Sequence, residues 1–355
     1  MDKICFKING VKHRSNEVSS DLTLLDYVRE GLELRGTKYM CREAGCGACM
    51  VSARKPHGVL YAVNSCMMTV TSCHGLEFTT VEEVGNRKKG YHPLQTMLAK
   101  HNGTQCGHCT PGWIMSMYSL LQSKPDLTML EIEQSFGSNI CRCTGYRPIM
   151  EAFKKFARDS PEKQVLDIEN LHLCKKLCKG CDGTQCDDDE WCKVEEEEVL
   201  DFIDVEIKLK DGKFWYRVTH IKGIFDILRE KGDDSYMLVA GNTAKGAYPI
   251  DEYPHILIDI NGVTELKGCK LDQNLIIGAA TTLTELIDIF EKMAEREYFT
   301  YLQKLCDHLK KVAHIPVRNV GTIAGNLMIK HRWNVFPSDI YLLLETVGAQ
   351  LTLGT

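Results

Sequence analysis

Residues 41–49 read Cys41-Arg42-Glu43-Ala44-Gly45-Cys46-Gly47-Ala48-Cys49, and a fourth cysteine, Cys66, follows in the stretch Asn64-Ser65-Cys66-Met67. Three sulfurs in one short loop, joined by one from a later segment, suit a small centre that the chain must wrap. Wrapping that tight drives some backbone to φ > 0, where glycine is unstrained, so Gly45 and Gly47 are the expected positions for it. Successive N–H groups of such a loop can then point at the sulfurs and offset negative charge. A second quartet lies downstream as Cys106-x2-Cys109 and Cys141-x-Cys143. Its last pair sits just ahead of Arg147-Pro148, which opens a helix. Helix N-termini carry partial positive charge and favour an anionic centre.

C-x4-C-x2-C followed by a remote Cys is the plant-type ferredoxin spacing, and a [2Fe–2S] centre takes four thiolates. Structural zinc also accepts four cysteines, but usually from two separated C-x2–4-C knuckles. Disulfides fit less well, because no secretory signal precedes the cysteines. Two one-electron centres in tandem point to an electron relay.

Residues 4–8 and 11–18 flank Asn9-Gly10, a type I′ hairpin signal, and 23–32 read as a helix with Asp21 or Thr23 near its start. Cys66 reads as lying at the edge of a strand, and 76–80 as a closing strand with Glu77 and Thr79 on its outer face. Around the second quartet, apolar residues recur at helical spacing over 94–98, 114–121, 127–136 and 149–156. Thr110 is the expected N-cap of the second of these helices, with Pro111 in its first turn; Met115, Leu120 and Leu121 read as core.

Gln105-Cys106-Gly107-His108-Cys109-Thr110-Pro111-Gly112 and Asn139-Ile140-Cys141-Arg142-Cys143-Thr144-Gly145-Tyr146-Arg147-Pro148 resemble the xanthine dehydrogenase and aldehyde oxidase family of molybdenum hydroxylases. Residues 41–49 and Asn64-Ser65-Cys66 match the same family in order and spacing. The resemblance is closer to aldehyde oxidase and covers the chain apart from a divergent linker. It implies an α+β multidomain protein: a β-grasp, ferredoxin-like [2Fe–2S] domain at 1–88, a four-helix [2Fe–2S] domain at 89–160, a linker at 161–206, and a PCMH-type FAD-binding domain at 207–355, incomplete at its C-terminus. It further implies that Cys41, Cys46, Cys49 and Cys66 ligate the ferredoxin-like cluster. Cys106, Cys109, Cys141 and Cys143 would then ligate the cluster nearer molybdenum, with Gln105 touching molybdopterin. A polar loop residue capping a helix is the plain alternative for Gln105.

Residues 159–206 are acidic, and Cys174, Cys178, Cys181, Cys186 and Cys192 lie there with only His172 nearby. Irregular spacing makes that a weak zinc signature, and a mobile linker is the favoured reading. Cys5, Cys73, Cys269 and Cys306 read as buried small hydrophobes. Beyond the linker, 214–217 and 256–260 read as strands, 221–229 and 283–296 as helices, and 275–280 as a further apolar run. Residues 236–240 read as a buried strand entering Gly241-Asn242-Thr243-Ala244-Lys245-Gly246, a turn whose N–H groups could meet a diphosphate. Alone, such a turn is more often plain. With Pro316-Val317-Arg318-Asn319-Val320-Gly321-Thr322-Ile323-Ala324-Gly325-Asn326-Leu327 and Pro337-Ser338-Asp339, it resembles the family's flavin domain. That likeness implies FAD contacts at Leu238, Val239, Gly241, Asn242, Thr243, Thr322, Asn326 and Asp339. Asp339 also reads as the N-cap of a helix over 340–344. FAD rather than NAD follows from the family's order, no G-x-G-x-x-G after a strand being present.

Hydrophobic content of 44% and a formal net charge of −5 are ordinary for a globular chain. No apolar run approaches a membrane span, and no basic surface for nucleic acid stands out. A cysteine-rich chain without a secretory signal is expected in the reducing cytoplasm. The resemblance also implies a molybdenum-cofactor domain or subunit as partner, O2 or NAD as final acceptor, and a possible homodimer. Within these residues there is no counterpart of the family's molybdenum domain, so hydroxylation is not expected from this chain alone. FAD affinity is expected to suffer as well. Two alternatives accompany this reading: a non-catalytic electron-transfer subunit serving a separate molybdenum subunit, and a zinc-binding structural module.

Overall fold

Asn9 and Gly10 both adopt φ > 0, at 51° and 79°, as a type I′ turn demands. They fold β1 (Ile4–Ile8) back on β2 (Val11–Ser15) in antiparallel register. The computed structural model describes residues 3–161 and 204–354; His172 and the linker cysteines Cys174, Cys178, Cys181, Cys186 and Cys192 lie outside the described residues. Three further strands complete the first sheet: β3 (Met50–Arg54), β4 (Tyr61–Asn64) and β5 (Glu77–Thr79). Their order is β2-β1-β5-β3-β4, with β1 and β5 parallel, so β4 is an edge that ends two residues before Cys66. Thr23 caps α1 (Leu24–Asp26) by accepting the Asp26 N–H at 3.1 Å. The expected single helix splits there, because α1 runs straight into a π-turn over Tyr27–Gly31 that brings Val28 into the core beside Leu24.

Helices α2 (Val81–Val84), α3 (Pro93–Lys100), α4 (Thr110–Ser123), α5 (Met129–Gln134) and α6 (Arg147–Lys154) follow. Thr128 and Glu131 form a reciprocal capping box that starts α5. Thr110 is not the cap of α4. Cys109 already has helical backbone and takes that position, while the Thr110 hydroxyl pairs with Thr104 at 2.8 Å. One side of α4 carries Trp113, which stacks on Phe136 at 5.2 Å, and Phe136 in turn meets Phe153 at 5.3 Å. Met115 turns the other way, onto Met50 and Ala62 of the sheet. A helix buried on both sides therefore joins the two cysteine-bearing units.

After the linker, β6 (Val205–Lys208), β7 (Phe214–Arg217), β8 (Tyr236–Val239) and β9 (Ile256–Asp259) form a second sheet in the order β6-β7-β9-β8, with α7 (Ile221–Lys231) between β7 and β8. The expectation of a buried strand at 236–240 does not hold. β8 is an edge, and Tyr236 and Leu238 leave 41% and 46% of their surface open. Cys269 is likewise exposed rather than buried, because it lies on β10 (Cys269–Asp272), which forms with β11 (Asn274–Ile277) a two-stranded hairpin. Cys5, Cys73 and Cys306 are buried as expected. Helices α8 (Leu283–Ala294), α9 (Leu302–Leu309), α10 (Ile315–Arg318), α11 (Ile323–Arg332) and α12 (Asp339–Thr346) complete the described chain. Residues 349–354 form no strand.

The two sheets share one core: Ile4, Phe6 and Phe78 of the first pack with Ile207, Trp215 and Leu257 of the second. Polar contacts lock the junction. The Ser20 N–H and hydroxyl both donate to Asp211, at 3.1 and 2.6 Å, and Arg217 Nη1 donates to the His74 carbonyl at 2.6 Å. His74 is buried, its Nδ1 accepting the Cys5 N–H at 3.2 Å. Burial, followed by the positive Arg217 beside it, lowers its pKa from 6.5 to about 4. Protons therefore bind the unfolded chain first, and stability present above pH 6.5 is lost as pH falls towards 4. Between pH 7 and pH 5 the loss from this one group should reach about 2 kcal/mol. His74→Asn keeps an acceptor for Cys5 but cannot titrate, so its denaturation midpoint should fall less over that interval than the parent's.

Candidate functional site

The first quartet closes as two thiol pairs. Cys49 and Cys66 hydrogen-bond to one another, a contact that drives Cys49 well up and holds Cys66 down. Cys46 is pushed up by burial and by the thiol of Cys41 beside it. In the second quartet Cys143 is raised by its contact with Cys106, and burial followed by contact with Cys141 pushes Cys109 up to about 12. Two touching thiols resist ionising together unless a cation lies between them, so each pair reads as half a site for one metal. Among the described residues no three His, Cys, Asp or Glu groups are disposed to hold a single metal ion. A two-iron centre takes two thiolates on each iron, which is the number each pair supplies.

The loop that carries this geometry is strained where glycine is absent. Gly47 has φ 70° as expected, but Gly45 does not take φ > 0; Arg42 and Ala44 do, at 58° and 64°. Each costs about 1–2 kcal/mol relative to ordinary backbone. Arg42 is held in place by a two-pronged pair with Asp26, at 2.8 and 3.0 Å, and by the face of Tyr39 at 4.6 Å. The strained backbone turns N–H groups inwards: Glu43 N–H reaches Cys41 Sγ at 3.4 Å, and those of Ala44 and Ala48 reach Cys66 and Cys46. Cys46, Cys49 and Cys66 are buried, with Leu25, Met67 and Val317 packed around the last two. The second quartet differs. Cys141 is buried and accepts a hydrogen bond from the Thr144 hydroxyl at 3.1 Å, but Cys106, Cys143 and the neighbouring Gln105 are exposed.

The two quartets are joined by backbone contact. Ile140 N–H, next to Cys141, donates to the carbonyl of Cys46 at 3.0 Å. A Cβ on Gly112 would lie 2.2 Å from the Gly47 carbonyl oxygen, and one on Gly47 would lie 2.6 Å from that of Ser138. Neither position admits a side chain without separating the loops. Gly112→Ala should therefore cost about 1–3 kcal/mol by overpacking and loosen both quartets. Thermal denaturation and bound iron should fall together, while an exposed control without left-handed backbone, Gly354→Ala, should keep its iron.

The loop after β8, which carries three of the residues assigned to a flavin, meets the segment that starts α11, which carries Thr322. Gly241, Asn242 and Thr243 face Val320, Gly321 and Thr322: a Cβ on Gly241 would lie 1.9 Å from the Val320 oxygen, and one on Gly321 3.2 Å from Thr243 Oγ1. Thr322 caps α11 by accepting the Gly325 N–H at 3.1 Å. Asn326 accepts from the Ser338 hydroxyl, and Ser338 rather than Asp339 caps α12, by accepting the Tyr341 N–H at 3.0 Å. Asp339, at the first helical position, is exposed 3.4 Å from His308 Nε2. Leu238 presents its open face on the edge strand, and Val239 is buried. Tyr248 stacks on Trp333 at 5.1 Å and ties the loop to the end of α11. Backbone N–H groups at a helix start beside a glycine turn form a cradle of the kind a diphosphate takes. The sequence alone did not disclose that Asn242 turns its side chain away from this cradle, donating to the Met67 carbonyl at 3.2 Å. Gly241→Ala should abolish flavin retention, read by absorbance of the reconstituted chain, and leave the iron content unchanged.

Three family models match in succession: "2Fe-2S iron-sulfur cluster binding domain" over residues 6–71, "[2Fe-2S] binding domain" over 80–154, and "FAD binding domain in molybdopterin dehydrogenase" over 206–355. Similar curated proteins include the abscisic-aldehyde oxidase of Arabidopsis thaliana, 34% identical over 98% of this chain, and the xanthine dehydrogenase of Drosophila pseudoobscura pseudoobscura, 34% identical over 99%. The chain spans 27% and 28% of the length of these two relatives. Among solved structures, an aldehyde oxidoreductase from Desulfovibrio gigas aligns with 44% of this chain and 17% of its own at 32% identity, with a TM-score of 0.40. With its three domains in that order and relatives aligned along almost its whole length, the chain belongs to the xanthine dehydrogenase and aldehyde oxidase family, of which it spans the N-terminal portion with two [2Fe–2S]-binding domains and an FAD-binding domain.

Proposed function

We propose that this chain relays single electrons through two [2Fe–2S] clusters to FAD, as the electron-transfer region of a molybdenum hydroxylase. In this reading Cys106, Cys109, Cys141 and Cys143 hold the entry cluster, and Cys41, Cys46, Cys49 and Cys66 hold the exit cluster. The bound clusters supply the one-electron chemistry; the chain supplies thiolates, N–H donors and burial. One observation carries the proposal: two quartets, each already sorted into thiol pairs, are linked by the hydrogen bond from Ile140 N–H to the Cys46 carbonyl. The exposed Cys106–Cys143 side would give electrons a way in, and in this reading the exposed Gln105 beside it touches a molybdopterin on a partner domain or subunit. In this reading electrons leave the first quartet, three of whose sulfurs are buried, towards a flavin held by Leu238, Val239, Gly241, Asn242, Thr243, Thr322, Asn326 and Asp339. The contacts of Asn242 with Met67 and of Gly246 with Glu43 support it.

The finer architecture belongs to the same proposal: a β-grasp unit at 1–88, a four-helix unit at 89–160, a linker at 161–206 and a PCMH-type unit from 207. So do a cytoplasmic location, O2 or NAD as final acceptor, and pairing of two copies in the whole protein. No helix among the described residues is long and apolar enough to cross a membrane.

Reconstitution with iron and sulfide followed by anaerobic dithionite titration tests the relay. About four irons per chain and two distinct [2Fe–2S] EPR signals are expected. Cys46→Ser should remove one signal and Cys143→Ser the other. A chain that takes up zinc in preference, or yields a single signal in every variant, would contradict the proposal.

A further inference from the structure

The relay just proposed needs a path from the first quartet to the flavin loop, and one side chain spans that gap. Asn242 sits in the left-handed region, φ 53° and ψ 19°, at the start of the turn Thr243–Gly246. Asparagine usually visits that conformation with its short amide bonded locally, yet no local cap bond forms here. Instead Nδ2 donates across the domain boundary to the carbonyl of Met67, at 3.2 Å, and lies 3.4 Å from Tyr253 Oη. Met67 is the residue bonded to Cys66. Close packing holds the same contact from either side: a Cβ on Gly246 would lie 2.9 Å from the Glu43 carbonyl oxygen, and Val317 packs among Cys49, Cys66 and Met67.

We infer that Asn242 is a positioning residue for electron transfer, its amide completing a bonded route from Cys66 through the Met67 carbonyl to the backbone of the flavin loop. Electronic coupling falls off more slowly along covalent and hydrogen bonds than across a gap. The link between the quartets has the same construction, a carbonyl on one unit accepting an N–H from the next. With clusters and FAD bound, each passage along this route would oxidise the cluster by one electron and reduce the flavin by one, two passages and two protons from water accounting for the flavin's full reduction. The inference rests on the relay reading and adds to it the residue that joins its last two stations.

Two substitutions isolate the amide. Asn242→Gly keeps the left-handed backbone without strain, and Asn242→Asp keeps the size while replacing the donor with an acceptor. In the full reconstituted chain, both variants should keep the cluster EPR signals. Asn242→Gly should keep the cluster midpoint potentials, while the charge added by Asn242→Asp beside Cys66 lowers that of the first cluster. Each rate is read per bound flavin. The rate of flavin reduction by pre-reduced clusters, followed by stopped flow, should fall by about tenfold, the equivalent of about 1.4 kcal/mol on an activation barrier. An unchanged rate with flavin retained would overturn the inference. So would loss of flavin from both variants, which would assign Asn242 to cofactor binding. If the parent chain passes no electron to its flavin, the relay reading fails first and this inference falls with it.

Discussion

Two cysteine loops pressed together through glycine, with the Asn139 amide against Gly47, set the terms for the rest of this molecule. Gly47 and Gly112 meet at a separation that no Cβ could enter, and the Ile140 N–H closes the seam on the Cys46 carbonyl. That seam requires α4 to begin at the first loop, which explains why the helix is buried on both sides. It also places the second quartet so that one side faces solvent while the other abuts the buried one. A sheet, a helical unit and a second sheet are then arranged around a line of contacts from Cys106 and Cys143 to Asn242.

The thiol pairs give the arrangement a chemical consequence. Within each quartet the ionisation of one sulfur opposes that of its neighbour: Cys66 is held down while Cys49 is driven up, so the fold alone does not ionise every sulfur at once. Iron binding would relieve that opposition and contribute to folding in the same step. Arg42 and Ala44 fit this picture. Asp26 and Tyr39 hold the Arg42 side chain, and the strained backbone directs amides at the sulfurs that a cluster would make anionic.

Much of this was legible in the residues themselves. The hairpin at Asn9-Gly10 and the helices of the second unit follow from local turn chemistry and periodicity, and both quartets were marked by spacing alone. What was not legible depended on tertiary placement. Gly45 and Gly47 look equivalent on paper, but only Gly47 takes the left-handed backbone; the loop's path gives the remaining strain to Arg42 and Ala44. The apolar run at 236–240 suggests a buried strand, yet sheet order leaves β8 at an edge. Thr110 and Asp339 are credible caps by residue type, while the helices begin one residue earlier, at Cys109 and Ser338. The core shared by Phe6 and Trp215, and the reach of Asn242 to Met67, link positions too distant in sequence for any local pattern to signal. Only the glycines at 112 and 241 hinted at such close approaches, and a glycine does not name its neighbour.

Low-temperature EPR of the fully reduced chain examines the seam most directly. Two clusters seated in touching loops should split each other's signals by magnetic interaction, and the splitting should vanish when Cys106→Ser removes one partner. Two full-strength spectra with no mutual splitting would mean that the loops do not hold their clusters side by side, and the account would be wrong at its centre.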